Sequence, residues 1–143
     1  MSTFAVQGQQ VLIRAGRFID TNKKIVKKNV DILVEGDRII KVGKNLKSAS
    51  ASIIDLSDKT VLPGLIDGHT HICLTPDYGS NPPVLYKTNT YRTMEAFKAA
   101  KEILMAGFTT IRDVDNEGAD MADIAVRDAS NEGMIFGPRI VAY

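Results

Sequence analysis

Val61-Leu62-Pro63-Gly64-Leu65-Ile66-Asp67-Gly68-His69-Thr70-His71 is the stretch on which the reading of this chain turns. The run from Thr60 is almost continuously apolar, which predicts a strand buried on both faces. At its end stand two imidazoles two residues apart. On an extended segment they project to the same side. Neutral imidazole offers one ring nitrogen to zinc and similar borderline metals. His69 and His71 are the only histidines in the chain. Read as residues alone, they are either one corner of a metal site or two histidines packed under a loop.

Upstream, the sequence reads as short strands. Val11–Ala15 is an apolar run closed by Gly16. Val30–Val34 and Arg38–Val42 flank Glu35-Gly36-Asp37, a Gly-containing hairpin turn. Ser52–Leu56 is a further strand. The expectation is a small antiparallel β unit rich in turns. Lys23, Lys24, Lys27 and Lys28 form a basic cluster, most simply a solvated turn and strand end.

Downstream, a polar stretch from Thr75 to Thr90 is too long for a simple connector. A helical period follows from Tyr91 to Ala106, with Met94, Phe97, Ala100, Ile103 and Leu104 on one face and Gly107 as its stop. Phe108–Val114 is strand-like. Met121, Ile124, Ala125 and Ala129 mark a second helix ended by Asn131 and Gly133. Arg139–Tyr143 begins another strand. Strand, helix, strand, helix, strand argues for a parallel sheet with right-handed crossovers. A closed barrel of this kind needs eight strands, eight helices and ~250 residues.

The bulk composition narrows the function classes. The chain has 143 residues, 44% hydrophobic and 24% charged, with a net charge of +1. That balance gives no argument for a nucleic-acid or membrane-surface partner. One cysteine, Cys73, allows no internal disulfide framework and no cysteine zinc cluster. No segment approaches the ~20 apolar residues of a membrane span, and the first ten residues lack a signal-peptide pattern. The expected address is the cytoplasm, although a processed exported protein fits the same start.

Taken together, the motifs resemble the amidohydrolase superfamily. The stretch Val61–His71 is similar to the start of its barrel. Ala106-Gly107-Phe108-Thr109-Thr110-Ile111-Arg112-Asp113-Val114 resembles the second barrel strand of the branch with imidazolonepropionase-like and Xaa-Pro dipeptidase-like enzymes, and Gly137-Pro138-Arg139 fits the same branch. The resemblance implies an α/β fold: residues 1–60 as the N-terminal part of a composite β-sandwich, and residues 61–143 as the first three strands and two helices of an incomplete TIM (β/α)8 barrel. It implies one or two divalent metals, zinc first among them, that activate a water toward an amide, ester or lactam carbonyl. His69 and His71 would be the first-strand metal ligands. The remaining ligands and the catalytic aspartate would come from later strands. The expected role is therefore the N-terminal portion of a metal-dependent amidohydrolase acting on C–N bonds of a small-molecule amide or dipeptide, without hydrolase activity alone. The alternatives are half of a split enzyme completed by a second chain, a mispredicted reading frame, or a truncated fragment that serves only in binding or assembly.

Other residues carry weaker readings. Asp67 shares the histidine face and is read either as a carboxylate that orients an imidazole or as an ion-pair partner. Gly64 and Gly68 fit tight turning and close packing or plain loop glycines. Cys73 is read as a small buried filler rather than a thiolate ligand. Arg112-Asp113 is expected to form a structural ion pair. Asp77, Tyr78 and Tyr86 lie in the loop over the expected site mouth, most simply as solvated loop residues. Met94, Phe97 and Leu104 are expected in the core.

Overall fold

The computed structural model describes residues 9–74 and 83–143. It divides into two compact units, one ending at Pro63 and the other comprising Gly64–Tyr143. The expected loop residues Asp77 and Tyr78 lie outside the described residues.

The first unit is a four-stranded sheet in the order β3-β2-β1-β4, formed by β1 (Gln10–Asp20), β2 (Ile25–Glu35), β3 (Arg38–Gly43) and β4 (Ser52–Val61). The hairpin between β2 and β3 turns at Gly36, whose φ of 58° suits a residue without a Cβ. Leu12, Ala15, Val30, Ile32 and Leu33 are its buried apolar residues. Two expectations fail here. β4 pairs with β1 in parallel, not antiparallel, because alternation of apolar residues sets a strand's faces but not its partner's direction. Gly16 does not close β1 either. The strand runs through it, with a register shift against β4 between Ala15 and Arg17. A Cβ at Gly16 would collide with the backbone carbonyl of Ser57, so glycine permits the close approach at this bulge.

The second unit is a parallel sheet in the order β5-β6-β7, from β5 (Leu65–Thr70), β6 (Phe108–Asp113) and β7 (Arg139–Val141). Helix α1 (Asn89–Met105) connects the first two strands and α2 (Ala122–Asn131) the last two. Thr88 caps α1 by accepting the Tyr91 N–H at 3.2 Å. Gly107, at φ 99°, ends it. Helix α2 is tied to the strand that follows, with Ser130 Oγ donating to Pro138 O and Arg127 Nη1 to Ala142 O. The core joins Ile72, Cys73, Ala96, Ala100, Ile111, Val126 and Ile140, with Phe97 and Ile103 packed against it.

The buried face of α1 is only partly the one expected, since Ala100, Phe97 and Ile103 face the core but Met94 does not. Arg92, Ala96 and Ala100 are buried, while Met94 is 63% exposed. These three residues are four apart and so share one face. Two alanines leave the room that a guanidinium needs. The stretch from Thr60 to His71 is also not one doubly buried strand. It breaks at Leu62-Pro63-Gly64, and Leu65 and Ile66 are exposed. Among the described residues β5 is an edge strand, paired only with β6. None of the described helices is long and apolar enough to cross a membrane.

Candidate metal centre

Both histidines stand at the C-terminal end of β5, His69 within the strand and His71 one residue past it. The intervening Thr70 faces the other way. Its hydroxyl donates toward Arg112 O (3.1 Å) and Asp113 Oδ1 (3.2 Å) on β6. The Val114 N–H closes the same joint by donating to Thr70 O. This places the imidazoles together on the opposite side. Their Nε2 atoms are 3.3 Å apart and the ring centroids 5.2 Å apart.

That spacing is a test of fit. Two nitrogens bound to one tetrahedral zinc at ~2.05 Å subtend ~109° and so lie ~3.3 Å from each other. The pair therefore matches two corners of such a site without movement. Nδ1 of His71 faces the carbonyl of Asp115 at 3.3 Å and Glu117 Oε1 at 3.0 Å. Both are acceptors, so they favour the tautomer with the proton on Nδ1, which leaves the lone pair on Nε2. Among the described residues no group of three or more His, Cys, Asp or Glu side chains is arranged to hold a metal.

Two neighbours of the pair, Asp67 and Asp113, differ from their sequence readings. Asp67 Oδ1 accepts the backbone N–H of His69 at 3.0 Å, so it shapes the strand end instead of orienting a ring. Asp113 does not pair with Arg112. Its carboxylate is buried and accepts Ile72 N–H at 2.8 Å and the Thr70 hydroxyl. It thereby clamps the end of β5 to the end of β6. Burial raises the Asp113 pKa, opposed by these two hydrogen bonds and reinforced by nearby Asp123. Cys73 is buried and its thiol is pushed up to about 12, first by burial and then by the carboxylates of Asp113 and Asp123. It stays protonated at neutral pH and packs as a filler. Gly64 is close-packed, since a Cβ there would strike the Thr109 side chain, whereas Gly68 has open space in front of it. Tyr86 is exposed, with Lys87 Nζ 5.9 Å from its ring centroid.

Arg92 and Glu117 escaped the sequence reading. Arg92 is 1% exposed. Its Nη2 reaches the carbonyls of Cys73 (3.3 Å), Asn116 (3.4 Å) and Glu117 (2.8 Å). One cation thus joins the segment after β5 to the segment after β6. The available signal was its place four and eight residues before Ala96 and Ala100. For Glu117 the signal was the polar run Asp115-Asn116-Glu117-Gly118 directly after β6.

Comparison with known proteins agrees with this geometry. The model of the amidohydrolase family matches residues 60–143. The 5'-deoxyadenosine deaminase of Methanothrix thermoacetophila is 40% identical over 65 residues, 46% of this chain and 15% of that protein. The dihydroorotase of Lactococcus lactis is 44% identical over 63 residues, 43% of this chain and 14% of that protein. A crystal structure of a Xaa-Pro dipeptidase with methionine in its active site superposes with a TM-score of 0.82 at 34% identity, covering 94% of this chain and 33% of that one. The chain spans about a third of the length of this structural relative.

Proposed function

The chain belongs to the amidohydrolase family, and from that premise we propose that it is the N-terminal portion of a metal-dependent hydrolase of C–N bonds, with His69 and His71 as two ligands of a divalent metal. In this reading residues 1–60 contribute to a β-sandwich. Residues 61–143 supply the first three strands and two helices of a TIM barrel. The substrate is a small amide, lactam or dipeptide. The carrying observation is the 3.3 Å separation of two Nε2 atoms at the C-terminal end of a parallel strand, the end at which such folds build their sites.

When bound, a divalent metal would supply Lewis acidity toward a water and a carbonyl, and the spacing of the pair is compatible with zinc. The chain's own residues do the positioning. Thr70 and Asp113 hold the strand end, and the acceptors at His71 Nδ1 keep its Nε2 free. Catalytic zinc ordinarily has three protein ligands, so the remaining ligands and the catalytic acid–base group belong to a further segment or a second chain. The exposed Leu65 and Ile66 on the edge strand support such completion, since an open apolar edge invites pairing.

The test is elemental analysis of the purified 143-residue chain and of a His69→Ala/His71→Ala variant, with assays on an Xaa-Pro dipeptide. Sub-stoichiometric zinc lost in the variant, and no chelator-sensitive turnover, are expected. Equal zinc in both proteins would contradict the ligand assignment. Chelator-sensitive turnover by the chain alone would contradict the need for further ligands.

A further inference from the structure

We propose that Glu117, locked in place by the buried Arg92, is a positioning residue that fixes the tautomer and ring orientation of His71. The inference rests on the reading of His71 as a metal ligand through Nε2.

The geometry is specific. Glu117 Oε1 stands 3.0 Å from His71 Nδ1 as a charge contact, and the Asp115 carbonyl, 3.3 Å from the same nitrogen, has the alignment of a hydrogen-bond acceptor. Neither has a hydrogen to give, so both favour the proton on Nδ1, which leaves the lone pair on Nε2, 3.3 Å from Nε2 of His69. In the metal-free chain His69 then donates its own Nε2–H across this gap, and to offer Nε2 to a metal its ring must carry that proton on Nδ1 instead.

Glu117 occupies an unfavourable backbone state. Its φ is 53°, the left-handed region that non-glycine residues enter rarely. Such a conformation persists when its surroundings over-determine it. Here both of its peptide groups are held. The Glu117 N–H donates to Asp115 Oδ1 at 3.0 Å, and its carbonyl accepts Arg92 Nη2 at 2.8 Å. Arg92 is buried with Nε and Nη1 lacking partners among the described residues. A leucine would fill this space without the desolvation cost of a cation. What the guanidinium adds is a donor aimed at the carbonyls of Cys73, Asn116 and Glu117, which holds the backbone that carries the Glu117 carboxylate. Partners of this kind around metal-binding histidines typically change metal affinity ~10–100-fold when removed.

The test uses the 15N-labelled chain at pH about 8, above the ordinary histidine range. Imidazole 15N shifts report the tautomer without metal, and Zn2+ alone is then titrated in. The parent is expected to hold His71 as the Nδ1–H tautomer. Glu117→Gln, which keeps an acceptor oxygen, is expected to retain most of it. Glu117→Ala is expected to show mixed tautomers and about tenfold weaker Zn2+ binding. Glu117→Gly removes the carboxylate while suiting the positive φ, so it carries the test if the alanine variant folds poorly. Parent-like tautomer and Zn2+ affinity in these variants would overturn the proposal. Arg92→Lys is expected to give an intermediate mixture, and a parent-like tautomer there would remove Arg92 from it. If Zn2+ moves neither Nε2 signal in the parent, the ligand reading fails, while the metal-free tautomers still decide the positioning role.

Discussion

The two units of this protein bury different kinds of side chain. Up to Pro63 the buried side chains of the sheet are apolar, with Leu12, Ala15, Val30, Ile32 and Leu33 inside, and its charges lie at the surface. From Gly64 onward, alanines, Ile111 and Val126 share the interior with Arg92, Asp113 and Asp123. A buried charge costs stability unless it is paired or hydrogen-bonded. Arg92 and Asp113 both act at the segments that follow β5 and β6, where the two histidines stand. The first unit is held by its backbone ladders. The second places charged groups so as to hold loop backbone in one arrangement, at the end of the sheet that carries the histidine pair.

Four substitutions probe that contrast. The largest effect is expected from Gly16→Ala in the first unit, because the new methyl meets the backbone of Ser57, which cannot rotate away. A loss of about 3 kcal/mol is expected by urea unfolding. Gly64→Ala meets first the Thr109 side chain, whose Oγ1 and Cγ2 can turn aside, and should cost less. An equal or larger loss at Gly64 would reverse the view that ladder geometry limits the first unit.

Arg92→Met comes next. It strips the donor from three carbonyls but also relieves the burial of a cation, so the expected net loss is about 2 kcal/mol. Amide hydrogen exchange should show the loosening after β5 and β6, with β1–β4 unchanged. Uniform loosening of both units would mean that Arg92 is general packing rather than a tie between loops.

The smallest effect concerns pH. Burial raises the Asp113 pKa in the folded chain above its ordinary 3.8. The native state therefore binds more protons than the unfolded state between 3.8 and the raised value, and stability falls as pH rises through that window. Asp113→Asn keeps an acceptor for Ile72 N–H and cannot ionise. Its stability should lack this fall when unfolding is followed from about pH 4 to 7. An unchanged pH profile would show that Asp113 is not the group responsible.

Much of the second unit was legible because its apolar period changes between strand and helix, and because Gly107 and Gly133 mark the helix ends. The histidine pair was legible for a similar reason, since two-residue spacing on a strand dictates a shared face. The direction of β4 was not, because nothing in Ser52–Leu56 encodes its neighbour. Phe97, Ala100 and Ile103 on the inward face of α1 were legible, but the exchange of Met94 for Arg92 was not, because a count of apolar residues favours methionine and turns arginine outward. Arg92 is inside because three backbone carbonyls await it there, and those belong to loops distant in sequence. Glu117 was missed for the same reason: its partner His71 lies 46 positions earlier, as the residue numbers show, and only folding joins them.

The most direct test of the central claim is zinc X-ray absorption on the metal-loaded chain, which counts imidazoles around the ion. Two histidine ligands are expected in the parent, one in His69→Ala or in His71→Ala, and none in the double variant. A parent spectrum without imidazole scattering, or one unchanged by the double substitution, would contradict the account.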